Sequence, residues 1–312
     1  MARVSTTRTA VLVVVANALL LLAVVACGSS SGPNVAAGAP SPGCTRGQDV
    51  HHDLRYEAVP HDTSPKLVSL DVYAPVRDAA CPPAPVLVFV HGGGWQRGDK
   101  AAPGDLGAKA DLARAQGWLL VSVNYRLAPV VRWPAFDDDV AEAVAWVHRY
   151  AAVYGGDPSW IVLMGHSAGA TIAASVAIDA RHLQRAGGQL AWIRCAIPVD
   201  SSYDVVTDAP ANPATYVTAF GSRPAGWADA SPLRHIRAGA GIPRFLVITR
   251  GLAAWKANAR RLVHHLRASG VRARLLDAGP TITHDQVNRW IGATGEQVET
   301  PAVVAFVRSC RP

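Results

Sequence analysis

The pentapeptide Gly165-His166-Ser167-Ala168-Gly169 sets a serine between two glycines, directly after the apolar run Trp160–Met164. Alone, the G-x-S-x-G pattern is weak. Between a buried strand and a helix it describes a tight turn that exposes the serine hydroxyl at a helix N-terminus, where free N–H groups and the dipole favour developing negative charge. The chemistry this suits is nucleophilic attack on an acyl carbon. Such attack passes through an oxyanion, and each preorganised donor aimed at it is worth roughly 10²–10³ in rate. One donor is expected from the N–H of Ala168. The others need a second loop, and His91-Gly92-Gly93-Gly94-Trp95 follows the apolar run Pro85–Val90. Without Cβ atoms, Gly93 and Gly94 can turn their N–H groups toward a substrate carbonyl. His91 is expected to orient this loop rather than act as a base. A helix N-cap serine and a flexible turn are the plainer reading, and they leave the three glycines unexplained.

To present these groups the chain needs strands that end at one edge of a sheet. From about residue 50, strand-like and helix-like segments alternate. "HDLRYEAV" and "KLVSLDVYAP" read as an antiparallel hairpin. "PVLVFV", "GWLLVSVNY", "WIVLMG", "RCAIPVD" and "RFLVITR" have the apolar density of strands buried on both faces. Helical spacing runs through 104–116, 136–156, 167–180, 256–270 and 300–310, with a last strand at 271–278. The alternation predicts an α/β fold, a mostly parallel sheet with helices on both faces. Residues about 201–242, rich in Pro, Ala and Ser, lack periodicity. They are expected to form a small cap over the carboxyl ends of the strands, where ligands bind in open α/β sheets.

Taken together, "HGGGW" (91–95), "NYRLAP" (124–129), "WPAFDDDVAEAVAWV" (133–147), "YGGDPSWIVLMGHSAGA" (154–170) and "THDQVN" (283–288) resemble α/β-hydrolase fold esterases of the hormone-sensitive-lipase and feruloyl-esterase-like group. The form "GHSAGA" sits nearer the feruloyl-esterase-like branch. The resemblance implies a serine carboxylesterase acting on a small-molecule ester, with Ser167 as nucleophile and no cofactor or metal. It also implies that the general base is His284, after the last strand. Of the other histidines beyond Ser167, His264 and His265 fall inside an amphipathic helix and suit surface or packing roles.

The acid departs from the family pattern, which places it after the seventh strand. Here that strand is "RFLVITR", followed by "GLAAWKANA", and no Asp or Glu occurs between Asp229 and Asp277. Asp200, ending the preceding strand, and Asp277, ending the following one, are the candidates. A site with no third member stays open beside them. Asp138, Asp139 and Asp204 match motif positions that are expected to be structural.

The first 26 residues read as a signal peptide: Arg3 and Arg8, then an apolar run over Ala10–Ala26 broken only by Asn17. "Val24-Val25-Ala26-Cys27" resembles a bacterial lipobox, so lipidation at Cys27 is expected, with residues 27–43 as a Ser/Gly/Pro/Ala tether and 44–312 as the hydrolase domain. The implied location is the outer face of the cell membrane, through the lipid anchor; secretion is the alternative. The formal charge of +7 becomes +5 without Arg3 and Arg8, a modest excess that could favour anionic envelope surfaces. No Lys/Arg cluster interleaved with aromatics points to nucleic acid. Cys44, Cys81, Cys195 and Cys310 form an even set in an exported chain, which suggests two disulfides, Cys44–Cys81 with Cys195–Cys310. Buried free thiols are the alternative.

Three functions fit these residues. The first is ester hydrolysis through an acyl-enzyme. The second is a non-catalytic or weak Ser–His lipoprotein that binds a ligand or partner, favoured by the absent acid. The third is acyl transfer to a lipid or sugar hydroxyl, which uses the same groups.

Overall fold

The computed structural model describes residues 44–58, 63–78, 80–251 and 253–312. The expected signal peptide, tether and Cys27 lie outside them. Eight strands form one sheet in the order β1-β2-β4-β3-β5-β6-β7-β8. They are β1 (Thr45–Arg55), β2 (Ser69–Arg77), β3 (Ala84–Val90), β4 (Leu119–Val123), β5 (Gly156–His166), β6 (Ile193–Val199), β7 (Arg244–Thr249) and β8 (Ala273–Asp277). β1 and β2 run antiparallel, β2 runs antiparallel to β4, and β3 to β8 are parallel. The hairpin is the expected one, but its arms start elsewhere: β1 begins at Thr45, and a short 3-10 turn at Pro65–Val68 takes the start of the second arm.

Alternation along the central strands builds two cores. Val86, Val88, Val90, Ile161 and Leu163 face one side with helices α2 (Ala135–Tyr150) and α3 (Ala168–Ile178). Leu87, Phe89, Val162 and Met164 face the other, against α1 (Pro103–Gln116). A strand buried on both faces has no polar face, which is why these runs carry no polar alternation. The remaining helices are α4 (Ala180–Arg185), α5 (Val205–Asp208), α6 (Pro213–Phe220), α7 (Pro224–Asp229), α8 (Ala253–Ala268), α9 (His284–Arg289) and α10 (Glu299–Ser309). α5, α6 and α7, all short, occupy the expected cap segment between β6 and β7. Disulfides join Cys44 to Cys81 and Cys195 to Cys310, the expected pairing. Among the described residues no helix is long and apolar enough to cross a membrane.

Candidate active site

Ser167 stands between β5 and α3 with φ 53° and ψ −126°. A positive φ is uncommon for a residue with a Cβ and costs about 1–3 kcal/mol, held only where the surroundings enforce it. Here the two motif glycines do so. A Cβ on Gly165 would lie 2.1 Å from the carbonyl oxygen of Gly169, and one on Gly169 would lie 2.3 Å from that of Val90. The glycines therefore let the turn close on itself and press the first turn of α3 against the end of β3. Ser167 N donates to Val199 O (3.0 Å), and Asp200 N donates to Ile248 O (2.8 Å). Asp200 also has a positive φ, 51°. Two sharp turns thus leave neighbouring strand ends and bring a hydroxyl and a carboxylate to the same edge.

His284 bridges them. Its Nδ1 lies 2.7 Å from Asp200 Oδ2, and its Nε2 lies 2.8 Å from Ser167 Oγ. With Nδ1–H donated to the carboxylate, Nε2 is left to accept the hydroxyl proton. His284 was expected in a loop. It is instead the first residue of α9, whose N-cap, Thr283, exchanges hydrogen bonds with Gln286 in a capping box. The Thr-x-x-Gln spacing was the available signal. The far end of α9 is gripped by α1: Lys109 Nζ donates to Asn288 O (2.7 Å), and Asn288 Nδ2 donates to Asp105 Oδ1 (2.9 Å). Burial pulls the Lys109 ammonium down to about 7.

Three neighbours were missed from sequence. His166 Nε2 donates to His284 O (2.9 Å), fixing the backbone from which that imidazole projects. Burial first, then the adjacent His284, pushes His166 well below the ordinary histidine range. The Trp255 ring stacks on His284 at 5.8 Å. Arg250, just after β7, donates Nε to Asp200 Oδ2 at 2.6 Å. The segment in which the family pattern leads one to expect the acid thus supplies a cation that holds an acid from the neighbouring strand.

The glycine loop closes the other side. Gly93 has φ 110° and Gly94 φ 61°. A Cβ on Gly93 would lie 1.9 Å from Arg97 O, so only glycine makes this turn. Gln96 N and Arg97 N both donate to Gly93 O. The N–H groups of Gly93, Gly94 and Ala168 have no partner among the described residues. All three residues line a cavity of about 500 Å³ with Ser167 and His284. Ser202, Asn212 and Tyr216 of the cap segment wall its far side, and Trp255 and Asn258 of α8 complete it. His91 is buried outside the cavity, stacked on Tyr125 at 4.5 Å, with Tyr125 Oη donating to its carbonyl.

The remaining carboxylates are engaged elsewhere. Asp277 pairs with Lys256 (2.7 Å) and accepts from Gly279 N, without contact to His284. Asp139 holds Arg126, Asp138 holds His182 and Arg185, and Asp204 holds Arg234. His264 and His265 are exposed on α8. Among the described residues no cluster of His, Cys, Asp or Glu is suited to a metal ion. What the site can do is move a proton from a hydroxyl to an imidazole beside three amide donors.

Residues 87–285 match the family model described as alpha/beta hydrolase fold. Esterase LipC of Mycobacterium tuberculosis is 33% identical over 209 residues, covering 62% of this chain and 50% of that protein. Esterase LipI of the same organism is 30% identical over 256 residues, 77% of each chain. The chain spans half or less of the length of the first curated relatives it matches. Among solved structures, the hyperthermophilic esterase from the archaeon Pyrobaculum calidifontis superimposes with a TM-score of 0.62 at 27% identity, over 77% of this chain and 78% of that one. A truncated carbohydrate esterase from gut microbiota gives 0.69 at 16% identity, over 88% and 99% of the two chains, a likeness of fold.

Proposed function

The chain belongs to the alpha/beta hydrolase fold family, and from that premise we propose that it hydrolyses carboxylic esters through an acyl-enzyme on Ser167. The observation that carries this is the unbroken line from Ser167 Oγ through His284 to Asp200 Oδ2. Ser167 Oγ attacks the ester carbonyl as His284 Nε2 takes its proton. The N–H groups of Gly93, Gly94 and Ala168 receive the oxyanion. Collapse expels the alcohol, which takes the proton back from Nε2, and leaves the acyl group on Ser167. Water then repeats the sequence and frees the acid. Asp200 keeps Nδ1 protonated and stabilises the imidazolium.

A binding protein has no use for this arrangement. Strain at Ser167 and a buried carboxylate on the imidazole both cost stability. The test is turnover of a p-nitrophenyl ester. The Ser167→Ala variant should fold and lose at least 99% of the rate. Residual turnover above that, in a folded variant, removes Ser167 from the role.

Export and lipidation at Cys27 belong to the same proposal, supported by the "VVAC" sequence after the apolar leader. Cys27→Ser should leave the leader uncleaved or free the protein from the membrane fraction. Normal processing and retention without an attached lipid removes this part alone.

A further inference from the structure

Residues 230–276 hold ten Lys and Arg and no Asp or Glu. Some of these cations find partners from other segments: Arg234 with Asp204, Arg250 with Asp200, Lys256 with Asp277 and Arg261 with Asp208. Others do not. Arg237, Arg244, Arg267, Arg272 and Arg274, joined by Arg194, pair with no carboxylate among the described residues. Where they have acceptors, these are backbone carbonyls such as Ser309 O and Ala273 O.

Topology gathers them. Arg194 and Arg244 stand at the starts of β6 and β7, and Arg272 directly precedes β8. They line two adjoining hollows of about 450 and 620 Å³ that share Arg244 and Arg272. The buried Nε of Arg194 has no hydrogen-bond partner among the described residues. Burial first, then Arg272 and Arg194, drives Arg244 below the ordinary arginine value. Like charges assembled this way repel unless an anion is supplied from outside.

The edge they occupy is opposite the catalytic one. Parallel strands start there and end at Ser167 and Asp200, roughly 20 Å away for seven residues at about 3.3 Å each. Thr45 pairs with Arg77 at the same end of the strands, because β2 runs antiparallel to β4, with Tyr73 beside Leu120, although β1 lies five strands across the sheet from β6, about 24 Å. The preceding segment therefore joins the domain at the end of the sheet where the arginines lie, on the opposite flank, so that one flat surface under that end can meet both. If residues 27–43 act as a flexible tether, their mean span is about 20–25 Å.

We infer that this arginine face docks on an anionic phospholipid surface, holding the catalytic edge away from the bilayer. The geometry rests on the lipid-anchor reading only for what brings the face near the membrane. Each arginine at such a surface is worth roughly fivefold in partition, and the attraction decays within a Debye length of about 8 Å at physiological salt. Nucleic acid is the other polyanion such a face could take. The tether's point of attachment favours the membrane.

The test uses the full chain in nanodiscs of phosphatidylcholine alone or with 30% phosphatidylglycerol. A fluorophore at Ala240→Cys, an exposed position lining one hollow, reads quenching by a headgroup-located quencher. The expected result is at least threefold more quenching with phosphatidylglycerol, abolished by 0.5 M salt and by Arg237→Glu with Arg272→Glu. Ester turnover by that double variant should stay within twofold of the parent, which certifies its fold. Equal quenching in both disc types overturns the inference. So does tight binding of a single-stranded oligonucleotide that lifts the label from anionic discs. Failure to co-elute with phosphatidylcholine discs counts against the anchor alone; the docking face then stands if phosphatidylglycerol discs still retain the chain and the double variant loses them, and falls otherwise.

Discussion

Asp200 and Arg250 stand on adjacent strand ends, and the guanidinium Nε donates to Oδ2, the same carboxylate oxygen that meets His284 Nδ1. Asp200 directly follows β6 and Arg250 directly follows β7, so a carboxylate–guanidinium pair stands where a lone acid after β7 was expected. Asp200 is fully buried, and a buried carboxylate persists only when paired. The two partners on Oδ2 divide the work: the imidazole is the proposed base, and the guanidinium holds the carboxylate in place.

Asp200→Asn should lower kcat by roughly 10³–10⁴, the scale set by loss of the correct imidazole tautomer in serine hydrolases. Asp277→Asn should lower it less than tenfold, since among the described residues Asp277 holds Lys256 and a turn. Steady-state kinetics on both folded variants decides the matter. The reverse pattern transfers the role to Asp277, and near-full activity in both leaves a Ser–His pair.

Arg250→Met should cut kcat ten- to a hundredfold and lower the melting temperature by several degrees. Removing one partner of a buried ion pair leaves the other uncompensated, commonly at 3–5 kcal/mol. KM should move less than twofold, because Arg250 does not line the cavity. A change confined to KM would instead mark it as a substrate contact.

The contribution of Glu299 to stability should fall as pH rises from about 4.5 to about 8. Burial first, then the hydrogen bond with Glu296, raises the Glu299 carboxyl to about 8. Between the two values the folded chain keeps a proton that the unfolded chain has released, so the contribution is full below about 4.5 and gone above about 8. Glu299→Gln should flatten this slope by about 1–3 kcal/mol across the window. Urea unfolding at pH 5 and pH 8.5 measures it; an unchanged slope in the variant refutes the assignment.

Local chemistry made half of the site legible. Ser167 and the Gly93–Gly94 loop could be read from the sequence because each needs glycines at fixed offsets from one residue. The acid could not be chosen that way. Asp200 and Asp277 both end strands, and only the sheet order, with β6 next to β5, sets Asp200 beside Ser167. His166 and Trp255 escaped notice because their contacts with His284 span long stretches of chain. α9 was missed although its capping box is written as Thr283-x-x-Gln286, since a six-residue helix carries too little periodicity to stand out. Arg250 was visible only as a missing acid.

The central claim is that Ser167 is an activated nucleophile. A fluorophosphonate reports this directly, since it phosphonylates a serine whose proton is being drawn off and leaves ordinary serines alone. Intact-mass measurement of the treated full chain should show one adduct within minutes. The adduct should be located on Ser167 by peptide mapping, absent from Ser167→Ala and strongly slowed in Asp200→Asn. A folded parent that stays unmodified, or an adduct that survives in Ser167→Ala, contradicts the account.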